Sequence, residues 1–158
     1  MVTVSTSRYK SSLRERGRVG DESGDLAQQK IQEAKGTVVA RRLIPDDAKL
    51  IRATVSRALR GAELDVIVLT GGTGVSTTDV TIETIRPIFE KEIEGFGEVF
   101  RSVSYKRIGA AAALSRATAG VARGKVIMCL PGSPDAVETA LDLFLGELPH
   151  VVYLARGR

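Results

Sequence analysis

A short apolar run that breaks into glycine constrains this chain more than any other feature. Residues Val66–Asp79 read VIVLTGGTGVSTTD. β-Branched residues up to Thr70 predict a buried strand. Gly71, Gly72 and Gly74 let the backbone come close to a ligand and aim several N–H groups at an anion. The hydroxyls of Thr73, Ser76, Thr77 and Thr78 follow, then Asp79, and Thr81, Ile82, Ile85 and Ile88 fall at helical spacing. The loop is therefore expected to deliver the chain onto a helix N-terminus, which favours phosphate or carboxylate ligands. A plain strand-to-helix turn capped by Thr78 or Asp79 is the other reading, and it needs fewer glycines.

The length of 158 residues suits a single domain over residues 1–158. Ample hydrophobic residues with average charge describe a globular chain rather than a disordered one. No apolar run approaches the roughly 18 residues of a membrane span. The opening MVTVSTSRYK has no charged leader before an apolar stretch, so no secretory signal and a cytoplasmic location are expected. The net charge of +4 owes much to Arg8, Lys10, Arg14, Arg16 and Arg18. Aromatic residues are few and none interleave with a basic face, so nucleic acid is not an expected partner, whereas a small phosphorylated ligand is. Cys129, the only cysteine, lies in the run VIMCLP and His150 stands alone near the end. Ser-His-Asp chemistry and His/Cys metal sites therefore find little support.

Strands are expected at Val2–Ser5, Thr37–Ile44, Leu64–Thr70 and Lys125–Leu130, with a strand or extended tail at Val151–Leu154. Helices are expected at Asp25–Lys35, ended by Gly36, then from Asp46 or Asp47 to Gly61, at Thr81–Glu92 and at Asp135–Leu145. Residues Tyr9–Gly24 read as a loop, Gly95–Phe96–Gly97 as a helix break, Glu98–Tyr105 as a short helix, and the small residues of Ala110–Ala119 as a close-packing segment. Alternating strands and helices predict an α/β domain of three layers, a mostly parallel sheet with helices on both faces. In such sheets ligands bind beyond the carboxyl ends of the strands. Ser5–Ser7, Asp46, Gly71–Asp79 and Pro131–Ser133 should converge there.

Neither the P-loop pattern GxxxxGK[ST] nor GxGxxG at the head of a βαβ unit is present. What remains is a pair of carboxylates, Asp46 and Asp79, each at a strand-to-helix transition. Taken alone, Asp46 reads first as a helix cap, and Asp79 reads as cap or ligand alike. Two anions near one glycine loop would repel an anionic ligand unless a cation lay between them, and oxygen donors shared with substrate phosphates suit Mg²⁺. Together they suggest metal-assisted phosphoryl or nucleotidyl transfer.

LTGGTGVSTTDVT, with DESG at Asp21–Gly24, LIPDD at Leu43–Asp47, EGFGEVFR at Glu94–Arg101, LSRATAG at Leu114–Gly120 and LPGSPDAV at Leu130–Val137, closely resembles the MoaB/MogA family of molybdenum-cofactor biosynthesis proteins. The resemblance spans nearly the whole chain. It implies MgATP-dependent adenylylation of the terminal phosphate of molybdopterin, with release of pyrophosphate. Carried over by motif, Asp46 and Asp79 would be the catalytic acids associated with Mg²⁺. Gly71, Gly72, Thr73, Gly74 and Ser76 would cradle pterin and phosphate, Ser115 and Arg116 would help hold the phosphate, and Pro131, Gly132 and Ser133 would line the nucleotide side. A homotrimer, sometimes doubled to a homohexamer, and other proteins of the molybdenum-cofactor pathway are the implied partners.

The chain departs from the pattern in places. Many relatives have Asp after the first-strand serine, where this chain has Thr6, and the first strand begins almost at Met1, so that a short N-terminal extension is expected to be absent. Many also carry Arg before the second aspartate and Pro after the following Thr, where this chain has Thr78 and Ile82. Arg14, Arg16 and Arg18 are candidates to replace the missing charge. A catalytically silent molybdopterin-binding paralogue and a scaffold domain are the competing readings.

Overall fold

The computed structural model describes residues 1–14 and 19–157. In chain order its elements are β1 (Val2–Val4), α1 (Thr6–Arg14), α2 (Glu22–Glu33), β2 (Arg42–Ile44), α3 (Ala48–Arg60), β3 (Val66–Thr70), α4 (Thr81–Ile85), β4 (Lys91–Glu92), α5 (Glu94–Ile108), β5 (Thr118–Ala122), β6 (Lys125–Leu130), α6 (Pro134–Phe144) and α7 (Leu148–Ala155). Single 3₁₀ segments run over Arg86–Ile88 and Gly109–Leu114. The strands form one six-stranded sheet in the order β2-β1-β3-β6-β5-β4. β2, β1, β3 and β6 are parallel, β5 pairs antiparallel with β6, and β4 pairs antiparallel with β5.

Strand alternation sorts the core into two faces. Ile67, Leu69, Ile127 and Cys129 point toward α3 and α4, meeting Ile51, Val55, Leu59, Ile82 and Ile85. Val68, Val126, Met128 and Leu130 point the other way, onto Ala27, Phe96, Phe100, Val137, Ala140 and Leu141 of α2, α5 and α6. β3 and β6 are thus covered on both sides, which explains why they read as continuous apolar runs rather than alternating ones. The expected three-layer, mostly parallel architecture is the one observed.

Several local expectations are corrected. The segment expected as a loop from Tyr9 contains most of α1, a helix with no buried residue and therefore no apolar stripe to announce it. Arg16 and Arg18 lie outside the described residues. α2 begins at Glu22 because Asp21 caps it, accepting from the Gly24 N–H at 3.1 Å. The left-handed residue at its end is Lys35 rather than Gly36. The second strand shrinks to Arg42–Ile44, since β1 offers only Val2–Val4 to pair with. The helix expected over Thr81–Glu92 stops at Ile85, because Pro87 has no N–H to continue the ladder. Gly95–Phe96–Gly97, expected as a break, belong to the 15-residue α5. There Phe96 is buried against Phe144, and a side chain at Gly97 would meet the Ala117 carbonyl at 2.6 Å. Ala110–Ala119 divides between the second 3₁₀ segment and β5. The expected terminal strand is helix α7, whose first turn holds Pro149.

Candidate functional site

The carboxyl ends of β1, β3 and β6 open into a cup of about 540 Å³. Its wall brings together all four segments expected to converge: Ser5, Thr6 and Ser7, then Asp46, then Gly71, Gly72, Thr73, Gly74 and Asp79, then Pro131, Gly132 and Ser133. Ser115 and Arg116 complete the side nearest β5. Ser76 is the exception among the expected residues. It is exposed and outside the wall, and it acts on Asp79 instead.

The glycine loop is shaped by contacts that leave no room for side chains. Gly71 has φ +93°, and a Cβ there would collide with the carbonyl oxygen of Val4. Gly72 has φ +61°, and its Cβ would lie 2.5 Å from both Asp46 Oδ1 and Thr81 Oγ1. These are backbone positions that only glycine fills without strain. Thr81 fastens the loop from below: its N–H donates to Gly72 O and its hydroxyl to Gly71 O, both at 2.9 Å. Gly71 N–H donates to Leu130 O at 3.0 Å, which couples the loop to β6. The Pro131–Ser133 turn is held in place from α2, where the buried Ser23 hydroxyl donates to Gly132 O at 2.6 Å.

Neither aspartate is a helix cap. Asp47 caps α3 by accepting from the Leu50 N–H at 2.8 Å, and α4 is preceded by Val80 with no side-chain cap. Asp46 Oδ2 instead accepts from the Thr6 N–H at 2.8 Å and the Thr6 hydroxyl at 2.7 Å. Its Oδ1 faces Gly72. Asp79 Oδ2 accepts from the Ser76 N–H at 3.1 Å and faces Gly74. Each carboxylate is therefore held through one oxygen, and neither Asp46 Oδ1 nor Asp79 Oδ1 accepts a hydrogen bond among the described residues. Thr6 is the anchor of Asp46. The sequence offered no signal for that pairing across the sheet.

Arg116 donates to Gly74 O at 3.3 Å and pairs with Glu83 of α4. Partial burial works against ionisation of Glu83, but the Arg116 guanidinium outweighs it and holds the carboxyl below its ordinary value. On the opposite wall, Arg8 lies 3.5 Å from Asp21. Thr78 shares a 3.0 Å hydrogen bond with the Ser76 hydroxyl and brings no charge. Ile82 is buried in the α4 core face and occupies the first turn of that helix, where the N–H has no intrahelical acceptor to lose. Cys129 is fully buried, and burial pushes its thiol well up, which excludes it as a nucleophile.

A three-layer α/β domain with a glycine-lined, carboxylate-flanked cup at its carboxyl edge belongs to the class of open-sheet proteins whose small-molecule sites lie beyond the strand ends. Comparison with known proteins narrows this class. Residues 1–150 match the family model described as "Probable molybdopterin binding domain". The chain is 40% identical over 152 residues to the "Probable molybdopterin adenylyltransferase" of Methanocaldococcus jannaschii, covering 96% of this chain and 90% of that one. It is 41% identical over 145 residues to the "Molybdopterin adenylyltransferase" of Pyrococcus furiosus, covering 89% and 84%. Among solved structures, the tungsten cofactor synthesizing protein MoaB from Pyrococcus furiosus superposes with a TM-score of 0.87 at 40% identity, covering 98% and 94%. The chain belongs to the MoaB/MogA family of molybdenum-cofactor biosynthesis proteins.

Proposed function

We propose that this protein is a molybdopterin adenylyltransferase that uses ATP. The observation that carries the reading is the pair Asp46 and Asp79: both stand at the glycine cup, both are relieved of helix capping, and among the described residues each accepts hydrogen bonds through one oxygen only. Two carboxylates with an unengaged oxygen suit a hard divalent cation whose other ligands come from phosphates and water. Asp46 and Asp79 would hold Mg²⁺, which when bound would offset the negative charge gathered in phosphoryl transfer.

The protein's own groups do the positioning. Loop Gly71–Gly74 admits a phosphate close to its backbone, Arg116 neutralises one phosphate, and the turn Pro131–Ser133 borders the nucleotide. A terminal phosphate oxygen of molybdopterin attacks the α-phosphorus of ATP in line. The bond from that phosphorus to the oxygen bridging to the β-phosphorus breaks, and the electron pair leaves with pyrophosphate. Self-association as a homotrimer or hexamer is part of the same proposal. Leu114, 62% exposed at the rim of the cup, and Ile108, 53% exposed at the end of α5, support it as apolar surface that a second copy would cover.

The test is turnover with molybdopterin, ATP and Mg²⁺, following adenylylated pterin and pyrophosphate. Mg²⁺-dependent formation of both is expected. The uncharged Thr78 favours one competing reading, a silent carrier, and tight pterin binding without product would establish it.

A further inference from the structure

We infer that Arg8 is a second phosphate-binding cation of the cup, held on Asp21 in the free protein and transferred to the polyphosphate of the nucleotide when it binds. The inference rests on the adenylylation reading for the identity of the ligand, and on four observations for the residue.

Arg8 lines the cup on the α1 side, beside Ser5, Thr6 and Ser7, across from Ser115 and Arg116. Among the described residues the charged groups of the wall are Arg8, Arg116, Asp46 and Asp79, two of each sign. Two anionic substrates cannot both be neutralised by Arg116, which is already engaged by Glu83 and Gly74 O. Arg8 is the other cation of the wall among the described residues.

Its present partner is built to release it. The Arg8 contact to Asp21 Oδ1 is 3.5 Å long, at the limit of a hydrogen bond. Asp21 meanwhile accepts from Thr3 Oγ1 at 2.6 Å, from the Gly24 N–H at 3.1 Å and from Arg41 Nη2 at 3.1 Å. Arg41 is itself anchored on Asp25 at 2.6 Å. When Arg8 leaves, Asp21 keeps a cation and two hydrogen bonds, so little is lost.

The position of Arg8 on its helix supplies the remaining argument. It sits in the first turn of α1, which contains no acidic residue. A cation there opposes the positive end of the helix dipole, and an anion bound at the same turn relieves both charges at once. Arg8 is 31% exposed in its side chain and already borders the cup. Arg14, at the other end of α1, lines no part of it.

Binding of inorganic pyrophosphate to the full chain in Mg²⁺ buffer, measured by calorimetry, isolates this site from catalysis. Arg8→Ala should weaken pyrophosphate about tenfold, the scale of one charge-assisted hydrogen-bonded contact. Arg8→Lys should restore part of the affinity, since it keeps the charge and loses the fork. Arg57→Ala, an equal charge removed from exposed α3, should leave it unchanged. In turnover, Arg8→Ala should raise KM for ATP more than it lowers kcat. The inference is overturned if the wild type fails to bind pyrophosphate, if Arg8→Ala binds it as the wild type does, or if Arg57→Ala loses as much. Arg8-dependent pyrophosphate binding without any turnover would sink the adenylylation reading and leave the Arg8 site standing. Turnover with Arg8-independent pyrophosphate binding would do the reverse.

Discussion

Asp46 and Thr6 close a reciprocal bridge between β2 and α1: the carboxylate takes the N–H and the hydroxyl of Thr6, and the Thr6 hydroxyl in turn accepts from the Asp46 N–H at 2.9 Å. The bridge fixes which oxygen of Asp46 is left for chemistry. Thr6→Val removes the hydroxyl but spares the backbone donor. It should lower kcat severalfold while moving the unfolding midpoint by only a few degrees, on the scale of one hydrogen bond. Equal kcat in the variant would show that Asp46 needs no such anchoring.

Asp46→Asn and Asp79→Asn keep the shape of each side chain and remove its charge. Each should retain the fold and pterin binding while losing turnover by roughly a hundredfold or more, as expected when charge stabilisation in transfer is removed. Circular dichroism, pterin binding and product formation measured side by side decide it. Full activity in either variant removes that residue from the mechanism.

Gly72→Ala places a methyl group 2.5 Å from Asp46 Oδ1 and Thr81 Oγ1 at a φ of +61°. The strain and the displaced carboxylate should cost about 1–3 kcal/mol of stability. Denaturant unfolding reports the first effect and turnover the second. A variant as stable and active as the wild type would mean that the loop is not the rigid cradle described.

Glu92 links three elements at the antiparallel edge: its Oε1 accepts from Arg86 Nη2 at 2.8 Å and from the Thr118 hydroxyl at 2.7 Å. Partial burial raises its pKa, but Arg86 and Thr118 outweigh this and hold it below the ordinary carboxylate value. A lowered folded pKa contributes stability that is complete above the unfolded value and is lost as pH falls through the folded one. The gap in melting temperature between wild type and Glu92→Gln should therefore be widest near neutrality and narrow toward pH 3. A gap independent of pH would mean that the pair contributes no charge-dependent stability.

Cys129 sits in the centre of the sheet, fully buried on β6. A thiol reagent should fail to label the native protein and should react stoichiometrically in denaturant. Rapid native labelling would require that β6 open far more readily than its packing allows.

The legible parts of the fold were those where burial leaves a mark on composition. β3, β6, α3 and α6 each carry an apolar run or an apolar stripe, and the glycines before Asp79 announce a close backbone approach. What escaped reading was set by tertiary context. α1 carries no buried face. The break after Ile85 follows from a single proline within an otherwise periodic stretch, and α7 looks extended because Val151, Val152, Tyr153 and Leu154 favour strands by type. At the site, the segments that converge were legible from strand ends, whereas the partners of Asp46, Asp21 and Arg116 were not. Those pairings join residues 40, 18 and 33 positions apart, and spacing along the chain holds no record of them.

The two-residue β4, both of whose residues are charged, has a bearing on how copies of this chain can meet. A sheet margin so short and so charged offers almost no template for another chain's strand, and the opposite margin, β2, is only three residues long and begins with Arg42. Growth of the sheet from molecule to molecule is blocked at both ends. Contacts between copies of this chain would then rest on side-chain packing rather than on shared backbone ladders.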